Sequence, residues 1–198
     1  KDNIINNGQF NVLYSGNIGK AQGLEIVIKT AKMLIDYPIN FCFIGDGVQK
    51  KSLINLAKLN GLNNILFRDP LSRNELIKEI KSATLCLVPL KNNELFKTAL
   101  PSKMFEIMAC GKPLILGLKG DAAKIVKENN CGLVVEPENL EELKDAILKY
   151  YNDSDLVIKH GENGVTYITN NMQKESLLSE FIIELRNKRE QLSLNINI

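Results

Sequence analysis

The chain has 198 residues, 44% of them hydrophobic and 24% charged, with a formal net charge of +2; this is ordinary for one α/β domain with a full core. So small a charge gives no support to nucleic-acid binding, which needs clustered Lys and Arg, and the lack of Trp with only 6% aromatic residues leaves few rings for stacking bases. The longest apolar runs, such as residues 85–90, are far too short to span a bilayer.

The opening Lys1-Asp2-Asn3 has neither Met nor a signal-peptide pattern, and reads as an artificial boundary or a cut from a longer protein. Residues 10–14 (FNVLY) form a short apolar run closed by Ser15-Gly16, and residues 24–34 carry apolar side chains at helical spacing. Residues 39–44 (INFCFI) read as a strand ending at Gly45-Asp46-Gly47, 53–59 as a helix stopped by Gly61, and 65–67 as a short strand. Ser72 and Glu75 stand at capping-box spacing ahead of a helix reaching about Ile80. A strand at 85–90 (LCLVPL) is followed by a polar loop at 91–100 and a helix at 101–109, with Pro101 in its first turn. Strands at 113–118 and 133–135 flank a helix at about 121–128, and a helix at 140–150 follows. Two further helices, 156–168 and 177–185, have no strand between them, and the end from about Arg189 is expected to fray.

Apolar strands joined by helices predict a doubly wound α/β fold: a parallel sheet of about six strands, covered on both faces, with right-handed crossovers. The expected division is a ligand-binding domain over 1–152 and a helical tail over 153–198, packing on the sheet or reaching another domain. Cys42, Cys86, Cys110 and Cys131 form no C-x-x-C pair and read as reduced thiols, mostly buried, in a cytosolic protein. Asp153-Ser154-Asp155 spells a metal-binding Asp-x-Asp but lies between helices, where Asp and Ser commonly cap. His160, the only histidine, is expected on an exposed helix face.

Ligands of such sheets sit at the carboxyl ends of the strands. There the sequence places Gly16, Gly19 and Gly23 in a glycine-rich turn that is neither a Walker A loop nor a Gly-x-Gly-x-x-Gly fingerprint. The segment 45–52 only imitates a phosphate loop, with Lys50 where the second glycine would stand. The strongest segment runs from Leu100 and Pro101 through Ser102, Lys103 and Glu106 to Gly111-Lys112-Pro113. Backbone donors, the helix dipole and the Lys103 charge all favour a diphosphate there, and Glu106, one turn on, shares that face and can accept from ribose hydroxyls. Read blandly, Glu106 is a first-turn acid on the dipole and Lys103 a solvated side chain.

The segment Pro-Ser-Lys-x-x-Glu-x-Met-Ala-x-Gly-Lys-Pro at 101–113 resembles the donor-site signature of retaining glycosyltransferases of family 4, in a surface-polysaccharide branch. The run 14–24, Ile44-Gly45-Asp46-Gly47, Val88-Pro89-Leu90, Gly120-Asp121-Ala122-Ala123 and Cys131-Gly132-Leu133-Val134-Val135 resemble the same branch, so the likeness covers about 10–150. It implies the C-terminal, nucleotide-sugar-binding half of a two-domain GT-B enzyme, with the acceptor-binding N-terminal domain missing. It implies a nucleotide-sugar donor, UDP-linked, with no metal or other cofactor, and a polysaccharide or lipid-linked acceptor. The setting it implies is cytoplasmic, with the whole protein peripheral to the inner membrane face. The implied binding set is Gly16, Asn17, Gly19, Lys20, Gly45, Arg68, Leu100, Ser102, Lys103 and Glu106, with Lys103, Glu106 and Thr98 as catalytic positions. Backbone near Phe67, Arg68 and Asp69 would flank the base.

Three features depart from the family pattern. Thr98 stands where the first glutamate of Glu-x7-Glu is usual, Asn17 and Gln22 replace the customary Arg and Lys with Lys20 as the nearest cation, and Pro101 removes one backbone donor. A nucleotide-sugar 2-epimerase of the same fold would need acids and histidines that this chain hardly offers. A receiver-like signalling domain would need an acidic pair where Ser15-Gly16-Asn17 stands. A nucleotide-sugar binder without catalysis is kept open by Thr98.

Overall fold

The computed structural model describes residues 9–172. The expected helix at 177–185 and the end from Arg189 lie outside the described residues. Six strands form one parallel sheet: β1 (Phe10–Ser15), β2 (Ile39–Ile44), β3 (Ile65–Arg68), β4 (Leu85–Pro89), β5 (Leu114–Gly117) and β6 (Gly132–Val134). Their order across the sheet is β3-β2-β1-β4-β5-β6, so the direction of winding reverses between β1 and β4.

Among the described residues, seven α-helices cover the sheet: α1 (Glu25–Met33), α2 (Lys50–Leu59), α3 (Arg73–Ser82), α4 (Ser102–Ala109), α5 (Asp121–Glu128), α6 (Leu140–Asn152) and α7 (Ser154–Asn171). Period-two alternation in the strands divides the core into two layers. Val12, Tyr14, Phe41, Phe43, Leu85 and Leu87 face α1, α2 and α6, while Leu13, Cys42, Ile44, Cys86 and Val88 face α3, α4, α5 and α7. Because both faces are covered, the central strands are apolar at consecutive positions.

Local chemistry sets the helix starts. Ser72 accepts from Glu75 N while the Glu75 carboxylate accepts from Ser72 N, the capping box expected from the sequence. Asp153 caps α7 by accepting from Leu156 N at 2.9 Å, which agrees with the helix-cap reading of Asp153-Ser154-Asp155. Cys42, Cys86 and Cys131 are buried and Cys110 is half-buried, all as free thiols.

α7, the described part of the chain beyond α6, packs on α4, β6 and α6. Gly161 of α7 comes so close to Gly111, just past α4, that a Cβ on it would lie 2.3 Å from the Gly111 carbonyl oxygen. His160 is 6% exposed and lies against Tyr150, with Nδ1 2.7 Å from the phenol oxygen. The exposed-face expectation for His160 is therefore corrected: the glycine beside it lets α7 settle onto α4, and this contact turns the imidazole inward.

Candidate functional site

The reversal of winding leaves a crevice beyond the carboxyl ends of β1 and β4, where ligands of such sheets bind. The loop leaving β1 is sewn to its neighbour after β2. Gly16 N donates to Ile44 O at 2.9 Å, Ile18 N to Asp46 O at 2.7 Å, and Gln49 N to Ile18 O at 3.0 Å. Gly45 is buried at φ +149, and a Cβ there would lie 1.9 Å from the Gly16 carbonyl oxygen. Gly45 thus lies beneath the loop and lets it settle, while Gly16 itself is exposed to the crevice.

α4 arrives at the same crevice with its amino end. Pro101 is the cap residue in extended conformation, and Met104 N donates back to Pro101 O at 3.0 Å. The amides of Ser102 and Lys103 precede the helix's internal bonding and carry its positive end. Lys103 does not extend into solvent. Its ammonium donates to Tyr14 Oη at 3.2 Å and stands 4.5 Å from the ring centroid. A Cβ on Gly16, whose φ is +122, would lie 3.0 Å from that ammonium. Gly16 therefore admits both the backbone turn and the lysine beneath it.

This seat is partly dry, and dryness penalises charge. Burial lowers the Lys103 pKa from 10.5 to about 8, with the nearby Glu106 carboxylate pulling the other way. A drop of that size is about 3 kcal/mol against the ammonium. Burial also pushes the Tyr14 phenol well above its ordinary value, so it stays neutral. Tyr14 then donates to Asn17 O at 2.5 Å, which fixes the first turn of the loop.

The other residues singled out from the sequence fall around this seat. Ser102 and Glu106 are exposed on α4, and Glu106 borders an apolar groove of ≈ 120 Å³ between α3 and α4, lined also by Leu76, Ile77 and Cys110. Thr98 and Leu100 are exposed in the loop that enters α4. Asn17 is exposed on the glycine-rich loop, Gly19 is buried at its end, and Lys20 is exposed where a short 3-10 turn starts. Arg68 ends β3, and its guanidinium is committed to Glu79 of α3 at 2.6 Å. The Arg68 carbonyl accepts from Gly45 N at 3.2 Å.

Two residues were not singled out for roles at this site. Tyr14 was visible as an aromatic at the end of a strand next to a glycine turn. Lys50 stands in a position read only as a failed phosphate loop. Its ammonium donates to Gly45 O at 2.9 Å, Arg68 O at 3.0 Å and Asp69 Oδ1 at 2.7 Å, tying the ends of β2 and β3 together. Among the described residues, no group of three or more His, Cys, Asp or Glu side chains gathers to hold a metal ion. None of the described helices is long and apolar enough to cross a membrane.

Known proteins share this fold. The family profile described as "Glycosyl transferases group 1" matches residues 1–164. The chain is 30% identical over 178 residues to WcaI of Escherichia coli (strain K12), a glycosyl transferase named for colanic acid biosynthesis, covering 88% of this chain and 42% of WcaI. It is 29% identical over 194 residues to the glycosyltransferase MJ1178 of Methanocaldococcus jannaschii, covering 98% of this chain and 52% of that protein. The chain thus spans about half the length of these relatives. Among solved structures, the Anabaena protein Alr3699/HepE in complex with UDP and glucose superposes with a TM-score of 0.78 at 17% identity, over 90% of this chain and 48% of that one. Sucrose-phosphate synthase from Thermosynechococcus elongatus gives 0.78 at 20% identity, over 93% and 46%. With its sheet order, its crevice and a match over most of its length, the chain belongs to the group 1 glycosyl transferases.

Proposed function

We propose that this chain is the donor-binding half of a retaining, family 4 glycosyltransferase that uses a UDP-linked sugar. The carrying observation is the Lys103 ammonium held beneath Gly16 at the amino end of α4. A diphosphate in the crevice would meet the amides of Ser102 and Lys103, the helix dipole and a full charge already in place. It would also return to Lys103 the electrostatic partner that burial denies it.

As the bond from the anomeric carbon to the diphosphate breaks, negative charge grows on the leaving phosphate and the sugar becomes oxocarbenium-like. Lys103 and the two amides stabilise the first of these changes without reorganising. Glu106 accepts from the ribose hydroxyls, and backbone near Phe67, Arg68 and Asp69 flanks the base. Asn17, Gly19 and Lys20 border the diphosphate, and Leu100 shapes the approach to it. Thr98 offers a hydroxyl where a carboxylate is usual, so less charge faces the sugar.

With Lys103 and the helix end supplying the positive charge, the reaction needs no divalent metal; EDTA should leave UDP affinity unchanged, and a Mg²⁺-dependent affinity would contradict this. The acceptor is a polysaccharide or lipid-linked glycan held by a second domain, and the setting is the cytoplasm, with the whole protein at the inner membrane face. The relative named for colanic acid biosynthesis and the UDP-bound fold neighbour support this reading. The fragment alone binds donor and transfers nothing. Calorimetry with UDP, GDP and ADP tests the proposal: heat with UDP in preference to the others supports it, and silence with all three refutes it.

The epimerase alternative loses ground, because the only histidine is buried against Tyr150 beside Gly161 and Gly111, at the far end of α4 from Lys103. Sugar transfer by a polypeptide carrying both halves would separate the enzyme from a non-catalytic binder.

A further inference from the structure

Three loops meet beside the donor seat. The loop following β4 begins with two amides bonded outward: Lys91 N donates to Ala21 O at 2.9 Å and Asn92 N to Glu138 Oε2 at 3.0 Å. Ala21 belongs to the loop after β1, and Glu138 to the turn between β6 and α6. Gly23 packs beneath both contacts, and a Cβ there would lie 3.2 Å from Lys91 Cγ and 3.9 Å from Glu138 Cγ.

Glu138 has φ +62, a left-handed conformation that disfavours a residue with a side chain. Such a conformation persists where the surroundings over-determine it. Here the Glu142 carboxylate accepts from Glu136 N at 2.7 Å, Asn139 N donates to Glu136 O at 3.1 Å, and the Asn139 side chain caps α6 by accepting from Glu142 N at 3.1 Å. The turn is built independently of Glu138's side chain, and glycine would occupy that position with less strain. The sequence places there instead a side chain that reaches the next loop.

We propose that Glu138 is a positioning residue for the donor seat: its carboxylate, aimed by a strained turn, anchors the start of the loop that runs through Thr98 and Leu100 into α4. The functional meaning rests on the nucleotide-sugar reading above, whereas the anchor itself does not. The loop is tied a second time farther along, where Lys97 O accepts from Asp121 N at 3.0 Å. Fixed at its start and again at Lys97, the loop leading toward the amino end of α4 is ordered along that stretch before ligand arrives, and binding need not supply that order.

Glu138→Gly removes the carboxylate and the backbone strain together. Its Tm should stay within about 4 °C of the parent, whereas Glu138→Ala keeps the strain, loses the anchor and melts lower. Amide exchange over residues 92–100 should quicken roughly tenfold in Glu138→Gly, the effect of losing one charge-assisted bond. In the parent, UDP should leave exchange at 92–97 unchanged. In Glu138→Gly, UDP should slow it and bind roughly three- to tenfold more weakly, because the ligand now orders the loop. Glu138→Gln keeps an acceptor oxygen and should restore both properties. Unchanged exchange in Glu138→Gly overturns the anchor, and faster exchange with unchanged UDP affinity overturns the positioning role. Failure of the parent chain itself to bind UDP would sink the donor reading and positioning together, while exchange would still decide the anchor.

Discussion

The two ends of α4 are built to opposite purposes. At its carboxyl end α7 closes over the helix, and Gly161, Gly164 and the His160–Tyr150 pair fill the space. At its amino end the helix meets a crevice with Ser102 exposed and Lys103 half-buried beneath a loop. Both ends depend on a missing Cβ, at Gly161 and at Gly16. At the first, close approach produces packing with polar groups paired inside the protein. At the second, it keeps a cation poised and incompletely solvated. Stability belongs to one end, and in the function proposed here affinity for an anion belongs to the other.

Substitutions that separate stability from affinity test this contrast. The largest expected effect is Lys103→Met, which removes the cation but keeps the length of the side chain. In the whole enzyme it should cost about 2.7–4 kcal/mol of barrier stabilisation, the usual loss of one such donor, read as kcat/KM. Its Tm should not fall, because a charge disfavoured by burial is gone. A near-normal kcat would count against the role of Lys103.

At the other end, Gly161→Ala drives a methyl toward the Gly111 carbonyl, and overpacking of this kind costs about 1–3 kcal/mol. Denaturant unfolding should show that loss, while UDP affinity of the folded protein stays within twofold. Equal damage to affinity would mean that the two ends are coupled. Tyr150→Phe, which strands the His160 nitrogen, should cost about 1 kcal/mol in the same assay.

Changes of pH act on both ends of the helix, and their signs differ with the reaction observed. Lys103 titrates near 8 when folded and near 10.5 when unfolded. Between these values the unfolded chain holds more protons, so the Lys103 contribution to stability rises with pH. In the proposed function diphosphate binding needs the ammonium, so affinity should be flat below about 8 and fall above it. His160 is lowered by burial and by Lys149 and Lys159, with Asp153 opposing. As pH falls below 6.5, the unfolded chain takes up that proton first, and stability declines. His160→Gln should flatten the acid limb of a Tm profile.

Much of the fold was legible in the sequence, because each strand carries its own apolar run and each turn its own glycine, Ser or Asp. The capping box at Ser72 and α5 over Asp121–Glu128 are set by local residues and emerged as expected. The strand order was not legible, since it depends on which crossovers leave β1 in each direction. At the site, the sequence located Lys103 and Glu106 on one helix turn. It could not show that the Lys103 side chain turns back toward Tyr14, a contact spanning 89 residues. His160 was misjudged for a related reason: two glycines in a polar helix do not announce that another helix lies against them.

The most direct test of the central claim is calorimetric titration of UDP into this chain at pH 7 and at pH 9.5, in parallel with Lys103→Met. Binding at pH 7 should weaken roughly tenfold or more at pH 9.5 as an amine titrating near 8 loses its proton, and the variant should bind weakly and without pH dependence. Equal affinity of parent and variant at both values would contradict it.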